Sequence, residues 1–207
     1  MDWNQAFVPL VDKYRGKDHP LDWQKNRYCL IVMVLLSAQD SDRHINEVTK
    51  PLFERFPTMS HLAAATEGEL FELLGSVQGA DRKIPWLIKL AGMIGTDAAI
   101  PDKKAGLMKL PGIGTKSANV ILREFKLPAE GIIVDLHVLR VAPRLGLSQA
   151  KDGAKMEKDL MPLFDPEDWG EVGMAMSFLG RETCRPTRPH CPECVMNPVC
   201  AYTDKTR

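Results

Sequence analysis

The cysteines of this 207-residue chain are concentrated near its C-terminus. Four of the five, Cys184, Cys191, Cys194 and Cys200, follow one another with the spacing C-x6-C-x2-C-x5-C. Converging thiolates repel one another unless a metal centre neutralises them, and prolines stiffen the loops between these four. The pattern predicts a metal site with four cysteine ligands, either a structural zinc ion or an iron–sulfur cluster. The spacing alone leaves both open.

A second chemical motif is LPGIGTKSA at residues 110–118, between a short predicted helix at 103–109 and a longer one at 115–125. Its glycines, Gly112 and Gly114, predict a tight turn with positive φ. Such a turn exposes backbone N–H groups at the start of the second helix, where they suit an anion. Six basic residues against one acidic residue lie within 103–126. The motif therefore favours a DNA-binding helix-hairpin-helix with a phosphate ligand.

Lys116 and Asp135 are candidates for covalent chemistry. Lys116 falls in the first turn of the predicted helix, where the dipole and partial burial lower the pKa of an ammonium and make it a nucleophile. A simple phosphate-binding lysine is the alternative. Asp135, between apolar residues in IIVDLHV, is suited to stabilising a developing cation, and equally to capping the next helix. His137 is expected to be a structural hydrogen-bonding residue.

The elements that position these residues are predicted to be helices. Residues 23–39 are apolar on nearly all sides, as in a buried central helix, and residues 42–56 and 81–94 carry apolar side chains at helical spacing. No stretch alternates apolar and polar residues long enough to demand a strand. The sequence predicts an all-α fold.

Composition limits the class of protein. Lysine plus arginine number 27, as do aspartate plus glutamate, which excludes a uniformly basic nucleic-acid coat. The longest apolar run has nine residues, far short of the roughly 20 that span a bilayer. The N-terminus lacks a basic flank followed by an apolar stretch. We expect a cytoplasmic monomer with no membrane partner.

Three motifs in this order, LPGIGTKSAN, VDLHVLRV and GRETCRPTRPHCPECVMNPVC, resemble the endonuclease III branch of the helix-hairpin-helix DNA glycosylases. The resemblance includes LLSAQDSD and covers the chain from about Trp23 to Cys200. It implies two helical domains with a DNA-binding groove between them. Residues 22–131 would form a six-helix domain with the hairpin, and residues 1–21 with 132–207 would form the other. The four cysteines would hold a [4Fe–4S] cluster.

The resemblance also implies a function, a base-excision-repair DNA glycosylase with abasic-site lyase activity that removes oxidised pyrimidines from duplex DNA. Lys116 would attack C1′ of the damaged nucleoside, and Asp135 would stabilise the sugar cation. A Schiff base would then break the strand by β-elimination. A monofunctional mismatch or adenine glycosylase is the nearest alternative, and a non-catalytic iron–sulfur DNA-binding protein is another. The presence of both Lys116 and Asp135 argues against these two.

Further residues are implied to contact DNA that contains damaged bases or abasic sites. Gln39 would enter the gap left by a flipped nucleotide. The others would hold the DNA backbone, and they are Gly112, Gly114, Thr115, Arg185 and Arg188.

One stretch departs from the family pattern. The family has a bulky apolar wedge in the turn before the fourth helix of this domain, and Gly79 and Ala80 stand there in this chain. Val77 or Gln78 takes that place if the turn is shifted by one residue.

Overall fold

The computed structural model describes residues 1–206, and every regular element in that part of the chain is a helix. The prediction of an all-α fold is confirmed. The chain divides into two compact units, one formed by Asp18–Phe125 and the other by Met1–Lys17 with the described residues from Lys126 onward. Within residues 1–206, every helix is too short or too polar to cross a membrane.

Eleven α-helices follow one another along the described chain. They are α1 Trp3–Tyr14, α2 Arg27–Leu36, α3 Asp42–Arg55, α4 Met59–Ala63, α5 Glu67–Leu74, α6 Ala80–Ile94, α7 Lys104–Leu107, α8 Thr115–Glu124, α9 Leu136–Leu145, α10 Gly153–Leu160 and α11 Trp169–Glu182. Short 3-10 turns lie at Asp97–Ala99, Met161–Leu163, Pro166–Asp168, Cys191–Glu193 and Asn197–Val199.

Helix α2 is the buried centre of the unit Asp18–Phe125. Nine of its ten residues are buried, and it packs against α3, α6 and α8. It is shorter than the predicted helix at residues 23–39. The backbone before it is left-handed at Gln24 and Lys25, with φ of 52° and 55°, and Asn26 then caps it by accepting two backbone N–H groups of the first turn.

A buried lysine closes the C-terminal end of α2. Lys83 of α6 is 2% exposed, and its Nζ donates to the carbonyl oxygens of Leu36 at 2.7 Å and Ala38 at 2.6 Å. Burial lowers the pKa of the Lys83 ammonium, while the Asp40 carboxylate opposes that shift. The carbonyl groups at a helix end lack partners within the helix. Lys83 supplies donors for them.

The other unit is built on close packing between α9 and α11. A Cβ on Gly180 of α11 would lie 2.7 Å from the His137 Cβ, and one on Gly173 would lie 2.6 Å from the Ile133 backbone nitrogen. Both glycines are therefore needed for the helix to approach these segments. Helix α1 packs on the same α11, where the rings of Tyr14 and Phe178 lie 5.4 Å apart.

We predict that Lys83→Met destabilises the protein by about 1–3 kcal/mol, because two carbonyl groups lose their donor while the apolar stem is kept. Lys89→Met is the matched control, since Lys89 is an exposed residue of the same helix, and it should change stability by less than about 0.5 kcal/mol. Chemical denaturation followed by circular dichroism measures both. Equal effects of the two substitutions would contradict the role given to Lys83.

Candidate functional site

The hairpin at residues 110–114 turns at Gly112. Gly112 has φ of 75°, and a Cβ there would lie 3.0 Å from the Trp86 ring and 3.1 Å from the Leu35 side chain. Gly114 has φ of −94° and open space where a Cβ would be. The prediction of positive φ is right for Gly112 and wrong for Gly114, because Gly114 is the extended N-cap of α8 and a single left-handed residue completes the turn.

The N-terminus of α8 is open to an anion. Gly114 has no side chain, so no side-chain hydrogen bond caps the first turn, and the positive end of the helix dipole lies there. The Thr115 hydroxyl donates to the Met108 sulfur at 3.9 Å. Helix α7 before the hairpin ends at Leu107, two residues before the predicted end at 109.

Lys116 is the second residue of α8, as predicted, and its side chain is exposed. The expected partial burial is wrong for the free protein, in which the Lys116 side chain is exposed. The helix dipole remains as a force that disfavours the ammonium. Any desolvation of Lys116 must come from a bound partner that covers it.

Asp135 is the N-cap of α9. Its Oδ1 accepts the backbone N–H groups of His137 at 2.8 Å and Val138 at 2.9 Å. Its Oδ2 accepts the Ser177 hydroxyl at 2.6 Å, and Ser177 is 1% exposed. The capping interpretation is therefore confirmed. It leaves a carboxylate whose orientation is fixed by three donors and whose residue is still partly exposed.

The four C-terminal cysteines line one cavity. None of the four forms a disulfide. Burial raises the pKa of the Cys194 thiol, and the other three cysteines of the cavity raise it further, against a backbone hydrogen bond from Met196 that lowers it. Four sulfurs so placed resist carrying negative charge together unless a cationic group lies among them.

Four cysteine side chains around one cavity are a ligand set that suits either a structural zinc ion or an iron–sulfur cluster. Among residues 1–206, no group of three or more His, Cys, Asp or Glu side chains is arranged to hold a single metal ion.

Two arginines of α9 bind the backbone of the segment that carries the four cysteines, residues 184–200, which we call the cysteine loop. Arg140 donates to the carbonyl oxygens of Cys184 at 3.0 Å and Gly180 at 2.8 Å. Arg144 donates to the Cys184 sulfur at 3.3 Å and to the Arg185 carbonyl oxygen at 2.8 Å, and its guanidinium lies over a tyrosine ring. The loop is thus positioned by the protein itself.

Arg185 and Arg188 line a second cavity beside the cysteine loop. Further basic side chains line it too, namely His137, Arg140, Arg181 and His190. His137 Nδ1 accepts a hydrogen bond from Arg140 at 3.1 Å, which agrees with the structural role expected for His137. The charge of this cavity suits an anion.

Gln39 is exposed on a turn after α2 and has a left-handed backbone, with φ of 62°. On the turn before α6, Val77 is 3% exposed and packs in the core, which excludes it as a protruding wedge. Gln78 is exposed. Gly79 has φ of 72° and open space around it. Gln78 is therefore the side chain of that turn that is free to protrude.

Residues 32–166 match the model of the "HhH-GPD superfamily base excision DNA repair protein". Endonuclease III of Synechocystis sp. is 35% identical over 95% of this chain and 90% of its own length, and that of Bacillus subtilis is 37% identical over 87% and 83%. The chain belongs to the endonuclease III family. A solved structure of a non-covalent endonuclease III–DNA complex superposes with a TM-score of 0.83, at 33% identity over 95% of this chain and 92% of that one.

Two residues that support the site, Ser177 and Lys83, are not part of any motif in the sequence. Ser177 bonds Asp135 from a helix 42 positions away, and Lys83 reaches Ala38 across 45 positions. A lone basic residue in the apolar stripe of α6 was the one signal for Lys83. Ser177 sits in the small-residue stretch of α11 and has no such signal.

We predict that Gly112→Ala lowers the stability of this endonuclease III homologue by about 1–2 kcal/mol from backbone strain alone, and weakens duplex DNA binding. Gly114→Ala is the matched control because its φ suits any residue and its Cβ meets nothing, so it should cost only about 0.5 kcal/mol, the amount by which alanine is poorer than glycine at an N-cap. Thermal unfolding and fluorescence anisotropy with duplex DNA measure the two effects. Equal loss from both alanines would contradict the conformational difference between the glycines.

Proposed function

We propose that this endonuclease III family member is a DNA glycosylase with abasic-site lyase activity that removes oxidised pyrimidines from duplex DNA. Membership of a base excision repair family gives the class of enzyme. The observation that carries the lyase activity is Lys116, exposed on the open first turn of α8 directly after the hairpin. A monofunctional glycosylase has no need of a nucleophilic amine there, and covalent trapping separates that role from a lysine that only binds phosphate.

DNA binding is supported from both units. The hairpin residues Gly112, Gly114 and Thr115 place the uncapped N-terminus of α8 where a backbone phosphate can bind. In the other unit, Arg185 and Arg188 line the basic cavity and are proposed to hold a further stretch of backbone. Such contacts let a protein with zero net charge bind a polyanion, with an affinity that falls as salt rises.

The nucleophile is proposed to be the neutral amine of Lys116. Its electron pair forms the bond to C1′ while the glycosidic bond breaks, and that bonding pair leaves with the base, which takes up a proton. Opening of the sugar gives a protonated Schiff base. Loss of a proton from C2′ then breaks the C3′–O bond, and the oxygen leaves on the 5′-phosphate of the downstream strand. Water hydrolyses the remaining imine and restores the lysine.

Asp135 is proposed to stabilise the positive charge that develops on the sugar as the base leaves. A carboxylate suits this role when its orientation is fixed before the charge appears. The two backbone donors on Oδ1 and the Ser177 hydroxyl on Oδ2 fix it in this way. Ser177 therefore acts as a positioning residue behind Asp135.

We propose that Cys184, Cys191, Cys194 and Cys200 hold a [4Fe–4S] cluster. Their shared cavity supports this proposal, and so does the similarity to endonuclease III, whose family resemblance implies such a cluster. The cluster would supply the cationic centre that lets the four thiolates converge.

For the catalytic pair, we predict that borohydride traps the wild-type protein covalently on abasic DNA and that Lys116→Gln abolishes trapping. Asp135→Asn should bind the same duplex at least as well, because it removes a negative charge, yet lose base excision by about a thousandfold or more. Gel analysis of trapping and single-turnover excision of an oxidised pyrimidine give the two readouts.

Lys109→Gln is the control for Lys116, since Lys109 is an exposed basic residue of the same hairpin. It should weaken binding in proportion to one lost phosphate contact and keep trapping. Strand cleavage by Lys116→Gln at the wild-type rate would refute the nucleophile assignment. Excision without cleavage in the wild type would favour the monofunctional alternative.

For the metal centre, we predict a yellow-brown protein with about four irons and four sulfides per chain. Cys191→Ser should lose iron, whereas Cys29→Ser should keep it, because Cys29 is a core residue of α2 in the other unit. Metal analysis and visible absorbance of anaerobically purified protein measure both. One zinc per chain, with no iron or sulfide, would exclude the cluster.

A further inference from the structure

Two surface turns are tied together by the side chain of Asp40. The first, residues 37–41, follows α2 and presents Gln39, and we call it the Gln39 turn. The second, residues 75–79, precedes α6 and presents Gln78, and we call it the Gln78 turn. The Asp40 side chain is 10% exposed although both turns lie at the surface.

Each oxygen of the Asp40 carboxylate reaches the Gln78 turn, one directly and one through a histidine. Oδ2 accepts the backbone N–H of Gln78 at 2.9 Å. Oδ1 lies 2.9 Å from Nδ1 of His44, and Nε2 of the same ring lies 3.1 Å from the Ser76 hydroxyl. His44 comes from the first turn of α3, so three segments are joined.

The link is suited to either protonation state of the histidine. A neutral ring that donates from Nδ1 to Asp40 can accept the Ser76 hydroxyl proton at Nε2, and a protonated ring donates to the same hydroxyl oxygen. Burial alone would raise the pKa of the Asp40 carboxyl. The hydrogen bonds from Gln78 and His44 nevertheless hold that pKa below its usual value. Asp40 therefore stays an acceptor at neutral pH.

We propose that Asp40 and His44 are positioning residues that lock the Gln39 turn to the Gln78 turn, so that both turns enter an opened DNA duplex as one preformed body. The proposal rests on the proposed function, because it assigns the two turns to the gap left by a flipped nucleotide. Nucleotide flipping costs a few kcal/mol of unstacking and unpairing, which side chains filling the gap offset. Gln39 fills it with less loss of entropy if its turn is already ordered.

The backbone of the Gln39 turn shows why a lock is needed. A left-handed conformation is strained at a residue other than glycine, and Gln39 adopts it in the free protein. Lys83 holds the Ala38 carbonyl oxygen on one side of Gln39, and Asp40 holds the Gln78 turn on the other. Loss of Asp40 leaves only the Lys83 anchor, and loss of His44 removes the bridge from Asp40 to Ser76.

The test compares binding to two duplexes of the same sequence, one undamaged and one with a tetrahydrofuran abasic analogue, which cannot form a Schiff base. Wild type should prefer the abasic duplex. Asp40→Ala and His44→Ala should lower that preference about tenfold, equivalent to about 1.4 kcal/mol, with affinity for the undamaged duplex changed less than about twofold. Ser76→Ala should lower the preference in part, and Ser76→Thr, which keeps the hydroxyl, should restore it.

His61→Ala is the matched control, since His61 bonds Thr58 three residues before it and belongs to neither turn. Its preference should equal that of wild type. An unchanged preference in Asp40→Ala and His44→Ala would overturn the proposal, as would an equal fall in affinity for both duplexes, which would indicate general misfolding. No preference in wild type would also overturn it, and borohydride trapping on natural abasic DNA then decides separately whether the proposed function stands.

Discussion

The carbonyl groups at the C-terminal end of α2 need hydrogen-bond donors, and the helix itself cannot provide them. Lys83 meets that need from a neighbouring helix, with an ammonium that has several protons to donate and no lone pair to satisfy. One side chain therefore fixes both the last turn of α2 and the residue before Gln39. The hairpin depends on the same helix, because Gly112 lies against the Leu35 side chain near the end of α2. The Gln39 turn and the hairpin before Lys116 thus share one buried support.

In the other unit, helix α9 connects Asp135 with the cysteine loop, two regions that lie far apart in the sequence. Its first backbone N–H groups are capped by Asp135, and its later turns carry Arg140 and Arg144 at a spacing of four residues, on one face. Both arginines donate to the backbone of the cysteine loop. A shift of that loop therefore acts on the helix whose start orients the Asp135 carboxylate. Through this connection the cysteine site has a structural role, which is to support the helix that begins after Asp135, independent of any redox chemistry.

Much of this arrangement could be predicted from residue order alone, because it depends on local physics. Helical periodicity identified the helices, steric restriction identified the turn at Gly112, and the apolar flanks of Asp135 identified a helix start. Partners distant in sequence could not be predicted, since Ser177 carries no signal and the position of Lys83 in the apolar stripe of α6 does not show which carbonyl groups it contacts. The exposure of Lys116 was missed for a related reason. Burial of a side chain depends on what other segments cover it, and a hairpin motif does not specify them.

The left-handed backbone at Gly79 restricts how this turn can change during evolution or engineering. Every L-amino acid placed there carries conformational strain, even though the surrounding space is empty. A large side chain that could enter the duplex is therefore easier to introduce by replacing Gln78, or by lengthening the loop, than by replacing Gly79. Libraries intended to widen the range of lesions should therefore randomise position 78 and vary loop length while keeping position 79 fixed.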